Sequence, residues 1–108
     1  MKPAVASYNL DLWEAWIDLG NETYRLYVVG DICTGRSKTT PVLSKKTVQG
    51  AAASHLILEV LPFFDPQGVH LAEVGYTEPV RDIHQYKQIS ICAGEEIIAC
   101  IPDIELVY

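Results

Sequence analysis

Hydrophobic and polar residues alternate on both sides of Gly20–Asn21, across the stretch Leu12–Asp31. A pair that begins with glycine favours a two-residue hairpin loop, because glycine adopts the positive φ required at the first central position. With the loop at this pair, Trp13 lies opposite Val28, and the apolar residues of both segments share one face. The sequence therefore predicts a β-hairpin with the core-facing residues Trp13, Ala15, Ile17, Tyr24, Leu26 and Val28.

The opposite face of this predicted hairpin is mixed in polarity, and it carries two aromatic residues. Trp16 would lie opposite Arg25, an arrangement that suits a cation–π contact, and Tyr27 would point the same way. Exposed aromatic side chains placed together form an unusual patch on a small domain. We therefore predict an interface formed by Trp16, Arg25 and Tyr27.

A helix from about Leu10 to Leu19 is the alternative for the first half of this stretch, with Gly20 as its C-terminal cap. On a helix, the acidic residues of this segment would fall together and the large apolar residues would fill the rest of the surface. The hairpin is favoured because Thr23–Val29 is rich in β-branched and aromatic residues. Residues 10–19 taken alone do not exclude the helix.

Short apolar or alternating segments continue along the rest of the chain, separated by turn residues. Further strands are predicted at 42–49, 55–61, 69–77, 86–93, 96–101 and 104–108. An arm is predicted at 1–8, connections at Cys33–Pro41 and Glu78–His84, and turns at Asp65–Gly68 and Gly94–Glu95. The last of these turns would set Ile91 opposite Ile98 and Ile89 opposite Cys100.

These elements predict a single all-β domain over residues 1–108, mainly antiparallel and built from hairpins. A small β-sandwich and a small barrel both fit the spacing of the strands, and the sequence does not choose between them. No apolar run approaches the ~18 residues of a membrane span, and the N-terminus lacks the features of a signal peptide. Cys33, Cys92 and Cys100 make an odd count without a close pair, which predicts free thiols and a cytoplasmic protein. A bridge between Cys92 and Cys100 stays an alternative.

The net charge of −6 argues against general affinity for nucleic acid, which depends on neutralising phosphates. Four basic residues and no acidic residue lie between Ile32 and Leu58, including Arg36 and Lys38. Gly30, Gly35 and Lys38 resemble a phosphate-binding P-loop only in part, because two residues separate the lysine from the second glycine. Arg36 and Lys38 are therefore candidates for loose anion binding, against the simpler reading of a solvated loop.

Three further residues are candidates for a polar site: His55, Glu59 and His70. On one strand, His55 and Glu59 would share a face but lie roughly 13 Å apart, which is too far to bind one metal ion by themselves. The sequence has no His-x-His or Cys-x-x-Cys motif, so we predict no metal and no cofactor. Among the thiols, Cys33 lies near basic residues that could lower its pKa, which makes it the most reactive candidate.

Two functional hypotheses follow. The first is a non-catalytic protein-interaction or self-associating module, expected as a homodimer or bound to a protein partner through the Trp16 and Tyr27 face. The second is a small enzyme or ligand-binding barrel with a polar site around His55, Glu59 and His70. The first is favoured because it requires only the aromatic residues predicted on the outer side of the hairpin. No enzymatic activity is assigned.

Overall fold

A computed structural model gives the fold of the chain. It describes residues 13–20, 22–34, 41–47, 49–50, 52–61 and 70–107. The predicted arm at residues 1–8 and the predicted turn at Asp65–Gly68 lie outside these ranges.

Eight β-strands make up the described part of the chain, which contains no helix. They are β1 (Trp13–Asp18), β2 (Tyr24–Thr34), β3 (Val42–Lys45), β4 (His55–Leu61), β5 (His70–Val80), β6 (Gln88–Ala93), β7 (Glu96–Ile101) and β8 (Glu105–Val107). The prediction of an all-β chain is confirmed, and the alternative helix is wrong over residues 13–18. The described residues accordingly hold no helix of the length and hydropathy needed to cross a membrane.

Two four-stranded sheets face each other across one core. Sheet A has the strand order β5-β2-β1-β8, and sheet B has the order β3-β4-β6-β7. The architecture is therefore a small β-sandwich. Antiparallel pairs predominate, as predicted, but β8 joins β1 and β6 joins β4 in parallel. Parallel neighbours need long crossover connections, and both pairs join segments that are far apart in the sequence.

The core lies between the sheets and contains every second residue of the central strands, as the side-chain alternation of a strand requires. Sheet A contributes Trp13, Ala15, Ile17, Leu26, Val28, Ile32, Val74 and Val80. Sheet B contributes Leu43, Leu56, Leu58, Val60, Ile89, Ile91, Ala99 and Ile101. Burial of these apolar side chains is the main favourable contribution to folding.

The register of the first hairpin differs by two residues from the predicted one. Ala15 pairs with Val28 and Trp16 pairs with Tyr27, so the predicted pairing of Trp16 with Arg25 is wrong. A shift of two residues keeps each side chain on its face, which explains why the rest of the predicted core face is buried. Tyr24, however, moves beyond the last pair of β1 and is 36% exposed.

The connection between β1 and β2 consequently spans residues 19–23, where a two-residue loop was predicted. Asp18 Oδ1 accepts a hydrogen bond of 2.8 Å from the Gly20 amide, an arrangement typical of Asx turns. The Leu19 amide donates to the Val107 carbonyl at 2.7 Å. These two bonds provide acceptors for the Leu19 and Gly20 amides at the end of β1. Asn21, the second residue of the predicted turn, lies outside the described residues.

The hairpin formed by β6 and β7 turns at Gly94–Glu95, as predicted, and Gly94 has a φ of 66°. A β-bulge follows between Ile91 and Cys92, so the predicted pairs farther from the turn are wrong. Ile91 pairs with Ala99, where Ile98 was predicted, and Ile89 pairs with Ile101, where Cys100 was predicted. The bulge leaves Ile98 of β7 without a partner on β6, so the residues of β7 on the two sides of the bulge alternate out of step.

Two strands extend into segments that were predicted to be connections. β2 continues through Cys33 and Thr34, and β5 continues through Pro79 to Val80, because the two strands pair along their whole length. β5 is an edge strand of sheet A. A proline is tolerated there because one side of an edge strand needs no amide for the ladder.

One close approach in sheet A depends on a glycine. Trp13 and Gly30 are cross-strand partners, and the Trp13 ring lies directly over Gly30. A Cβ atom added at Gly30 would overlap three atoms of the ring. The indole of Trp13 therefore fits into the core only because position 30 has no side chain.

Candidate interaction surface

The side of sheet A that points away from the core carries the residues we call the outer face. These residues alternate with the buried positions of their strands, and the register places them side by side. The outer face consists of Glu14, Trp16, Asp18, Arg25, Tyr27, Val29, Asp31, Glu73, Gly75, Thr77, Pro79, Glu105 and Val107. No strand of the described part of the chain packs over it.

An aromatic pair lies at the centre of the outer face. The rings of Trp16 and Tyr27 stack with their centroids 5.4 Å apart and their planes at 15°. Both side chains are half-buried, and stacked pairs of this kind add to the stability of the hairpin. The structure thus brings together two of the three residues predicted for the interface.

Arg25, the third predicted interface residue, lies beside the aromatic pair. It is opposite Asp18 on β1 and Pro79 on β5. Its Nε atom donates a hydrogen bond of 2.8 Å to Thr77 Oγ1. This bond fixes the guanidinium at one border of the outer face and joins β2 to the edge strand β5.

The outer face is strongly acidic. Its five carboxylates against one guanidinium give a net charge of −4, out of −6 for the whole chain. The carboxylates are those of Glu14, Asp18, Asp31, Glu73 and Glu105. Within the described ranges, none of them lies within 4.0 Å of a basic nitrogen. The negative charge of this face is therefore not neutralised by the chain's own described residues.

A cavity of about 180 Å³ lies beside Trp16, where β1 approaches the end of β7 and the start of β8, and its lining includes Ala15 and Ile101 of the core. The residues that line it include three acidic residues, Glu14, Asp103 and Glu105, and two tryptophans, Trp13 and Trp16. Aromatic faces and carboxylates together are the groups that attract organic cations. Sequence reasoning missed this cavity because it forms only where β8 joins β1 in parallel.

A second polar cluster ties the edge strand β3 of sheet B to the edge strand β5 of sheet A. Lys45 Nζ lies 3.2 Å from Tyr86 Oη and 3.8 Å from Glu78 Oε1. Glu78 also accepts hydrogen bonds from the hydroxyls of Tyr76, at 2.8 Å, and Tyr86, at 3.1 Å. Each polar group of the cluster has a hydrogen-bond or ionic partner within it. The cluster therefore acts as a clamp between the two sheets.

The clamp changes the proton affinity of two of its members. Burial raises the pKa of Tyr76, and the hydrogen bond to Glu78 raises it further. The hydrogen bond with Tyr86 raises the pKa of Lys45 against a smaller opposing effect of burial. Both groups therefore hold their protons more tightly in the folded protein than in an unfolded chain.

The predicted polar site is divided between the two sheets. His55 and Glu59 lie on β4 in sheet B, whereas the backbone of His70 begins β5 in sheet A. The side chain of His70 lies outside the described part of the structure. Arg36 and Lys38, the predicted anion-binding residues, also lie outside it.

His55 has a partner that the sequence did not indicate. Its Nε2 atom lies 2.6 Å from Ser90 Oγ, which in turn lies 3.8 Å from Cys100 Sγ. A serine beside a histidine is the minimum that nucleophilic catalysis requires. Ser90 is only 2% exposed, however, so its hydroxyl has no access to a substrate in this conformation.

Cys92 and Cys100 are free thiols, and they are not cross-strand partners. Cys92 lies opposite Ile97, and burial raises the pKa of its thiol. A raised pKa leaves little of the reactive thiolate near neutral pH. The side chain of Cys33, predicted to be the most reactive thiol, lies outside the described residues.

Comparisons of this chain with protein-family models, with curated proteins and with solved structures found no match. In the described ranges, no group of three or more histidine, cysteine or acidic side chains could hold a metal ion. The outer face is therefore the feature of the described structure that best indicates a function.

Proposed function

We propose that this protein is a non-catalytic protein-interaction module that docks through the outer face. The observation that carries this proposal is the stacked pair of Trp16 and Tyr27 at the centre of a sheet face that no described strand covers. Tryptophan and tyrosine are the residues most enriched among interface anchors, because each combines a large apolar area with a polar atom.

The arrangement of polarity on the outer face supports the same proposal. Aromatic rings occupy its centre, and charged residues such as Glu14, Glu73 and Glu105 lie around them. Protein interfaces commonly have an apolar core surrounded by a polar rim. The two outer strands β5 and β8 widen the face on either side of the aromatic pair.

The catalytic alternative around His55, Glu59 and His70 has less support. Its residues come from different sheets, and the serine beside His55 is buried. We further propose a cytoplasmic location, which is supported by the free thiols of Cys92 and Cys100.

Photo-crosslinking from the outer face tests the proposed function. Benzoylphenylalanine replaces Tyr27 in one variant and Ile97, an exposed residue of sheet B, in the control. After irradiation of cells that express each variant, we expect an adduct of defined mass from position 27 and none from position 97. The adduct should disappear when Trp16→Ala is added. Equal adducts from both positions, or no adduct from position 27, would overturn the proposal.

A further inference from the structure

We infer that the partner of the outer face is a positively charged protein surface, and that one of its lysine or arginine side chains enters the cavity beside Trp16. This inference rests on the proposed function and specifies the chemistry of the partner. Three observations support it: the net negative charge of the outer face, the acidic and aromatic residues that line the cavity, and the stacked pair of Trp16 and Tyr27.

The charge of the outer face favours a basic partner. The outer face has a net charge of −4, and its carboxylates form no ion pair within the described part of the chain. A partner with basic residues would complete these interactions, and the field of the face would speed its approach. The same field repels the phosphates of nucleic acids.

The cavity beside Trp16 has the size and the lining residues to receive a cationic side chain. Its volume of about 180 Å³ is sufficient for the end of a long side chain, since cavities of about 150 Å³ admit a molecule as large as benzene. Trp16 and the acidic residues Glu14, Asp103 and Glu105 all line it, and aromatic rings together with carboxylates attract a cation. Arginine suits this setting because its planar guanidinium both stacks on rings and pairs with carboxylates.

The charge of the outer face also separates this inference from the expected homodimer. A two-fold dimer through the face would bring the same patch of each copy together. Ten carboxylates and only two guanidinium groups would then share one interface, twice the number on a single face. Like charges brought together at an interface oppose binding. A basic partner supplies the opposite charge and covers the same rings.

Binding of a hexa-arginine peptide, measured by isothermal titration at an ionic strength of about 0.1 M, where the Debye length is about 10 Å, tests the inference. We expect the parent protein to bind it and the variant Glu14→Gln/Glu105→Gln to bind about tenfold more weakly, because the peptide loses two ionic contacts beside an aromatic wall. Trp16→Ala should also weaken binding. The matched control is Glu95→Gln/Glu96→Gln, which changes the net charge equally at the exposed hairpin tip of sheet B. Its affinity should stay within about twofold of the parent, since these carboxylates lie outside the outer face.

Three outcomes would overturn the inference: no binding by the parent protein, equal loss in the two double variants, or a parent protein that light scattering shows to be a dimer which Trp16→Ala dissociates. Circular dichroism of each variant confirms that it is folded. The outcome of the crosslinking experiment does not depend on the outcome of the titration. A crosslinked partner with an acidic contact surface would leave the proposed function intact and refute the basic partner.

Discussion

Replacing Gly30 with alanine should destabilise the protein through one contact, the indole ring of Trp13 on the neighbouring strand. The two residues are cross-strand partners, and the ring lies where a Cβ atom of residue 30 would be. Trp13 is 7% exposed, so a ring that moves aside loses part of its packing in the core. The substitution tests whether the core depends on this close approach.

The expected magnitude follows from two opposing effects. Forcing an extra methyl group into a packed core costs about 1–3 kcal/mol, whereas replacing a strand glycine with alanine recovers roughly 0.5–1 kcal/mol of backbone entropy. Because the added Cβ atom would overlap three atoms of the ring, the upper part of the first range, about 2–3 kcal/mol, applies, and the net loss should be about 1–2.5 kcal/mol. For a domain of this size, that loss corresponds to a fall in Tm of roughly 4–10 °C.

Urea denaturation followed by tryptophan fluorescence measures the free energy of unfolding of each variant. Gly75→Ala is the matched control, because a Cβ atom at Gly75 would approach no atom closer than 3.7 Å. It should be neutral or slightly stabilising. Combining Gly30→Ala with Trp13→Leu should show that the two effects are not additive, since the smaller side chain relieves the overlap. A Gly30→Ala protein as stable as the parent would refute this account of the packing.

Three further outcomes are expected. Stability should decrease as the pH rises above about 10, because the raised pKa of Tyr76 keeps its proton on the folded protein after an unfolded chain would lose it; urea midpoints from pH 8 to 11 should show a shallower decrease for Tyr76→Phe. Gly94→Ala should lower the free energy of unfolding by about 1–2 kcal/mol, because alanine tolerates the positive φ of this turn poorly. No atom lies within 4 Å of the new methyl group, so backbone strain is the cause of the loss, and Gly94→Asn should lose less in the same denaturation assay. Cys92 should react with iodoacetamide at pH 8 much more slowly in the folded protein than in urea, and mass spectrometry of the digested protein would show equal rates if its burial is not protective.

Alternation of side chains made the buried faces of the strands predictable. Leu56, Leu58 and Val60 are buried as their pattern indicates, and so are the predicted inward residues of β1 and β2 other than Tyr24. The turn at Gly94–Glu95 was predictable because a short loop with glycine first satisfies a local geometric requirement. These features depend on residues that are close together in the sequence.

Features that depend on distant segments were not predictable. A register shift of two residues changes no face of a strand, so the pattern of β1 and β2 fits the true register and the predicted one equally well. The bulge beside Ile91 has no local signal in the apolar run of β7. The cavity beside Trp16 needs Glu105 to lie next to β1, and nothing near either residue indicates that contact.

The parallel pairing of β8 with β1 has a kinetic consequence. Trp16 and Glu105 come from opposite ends of the described chain, so their contact forms only after a large loss of loop entropy. Chains dominated by such distant contacts fold slowly, typically over milliseconds to seconds. The wall of the cavity that Glu105 provides is therefore absent from any chain in which β8 has not yet joined β1. A partner that inserts a side chain there would bind only chains that have finished folding, and it would bypass incomplete ones.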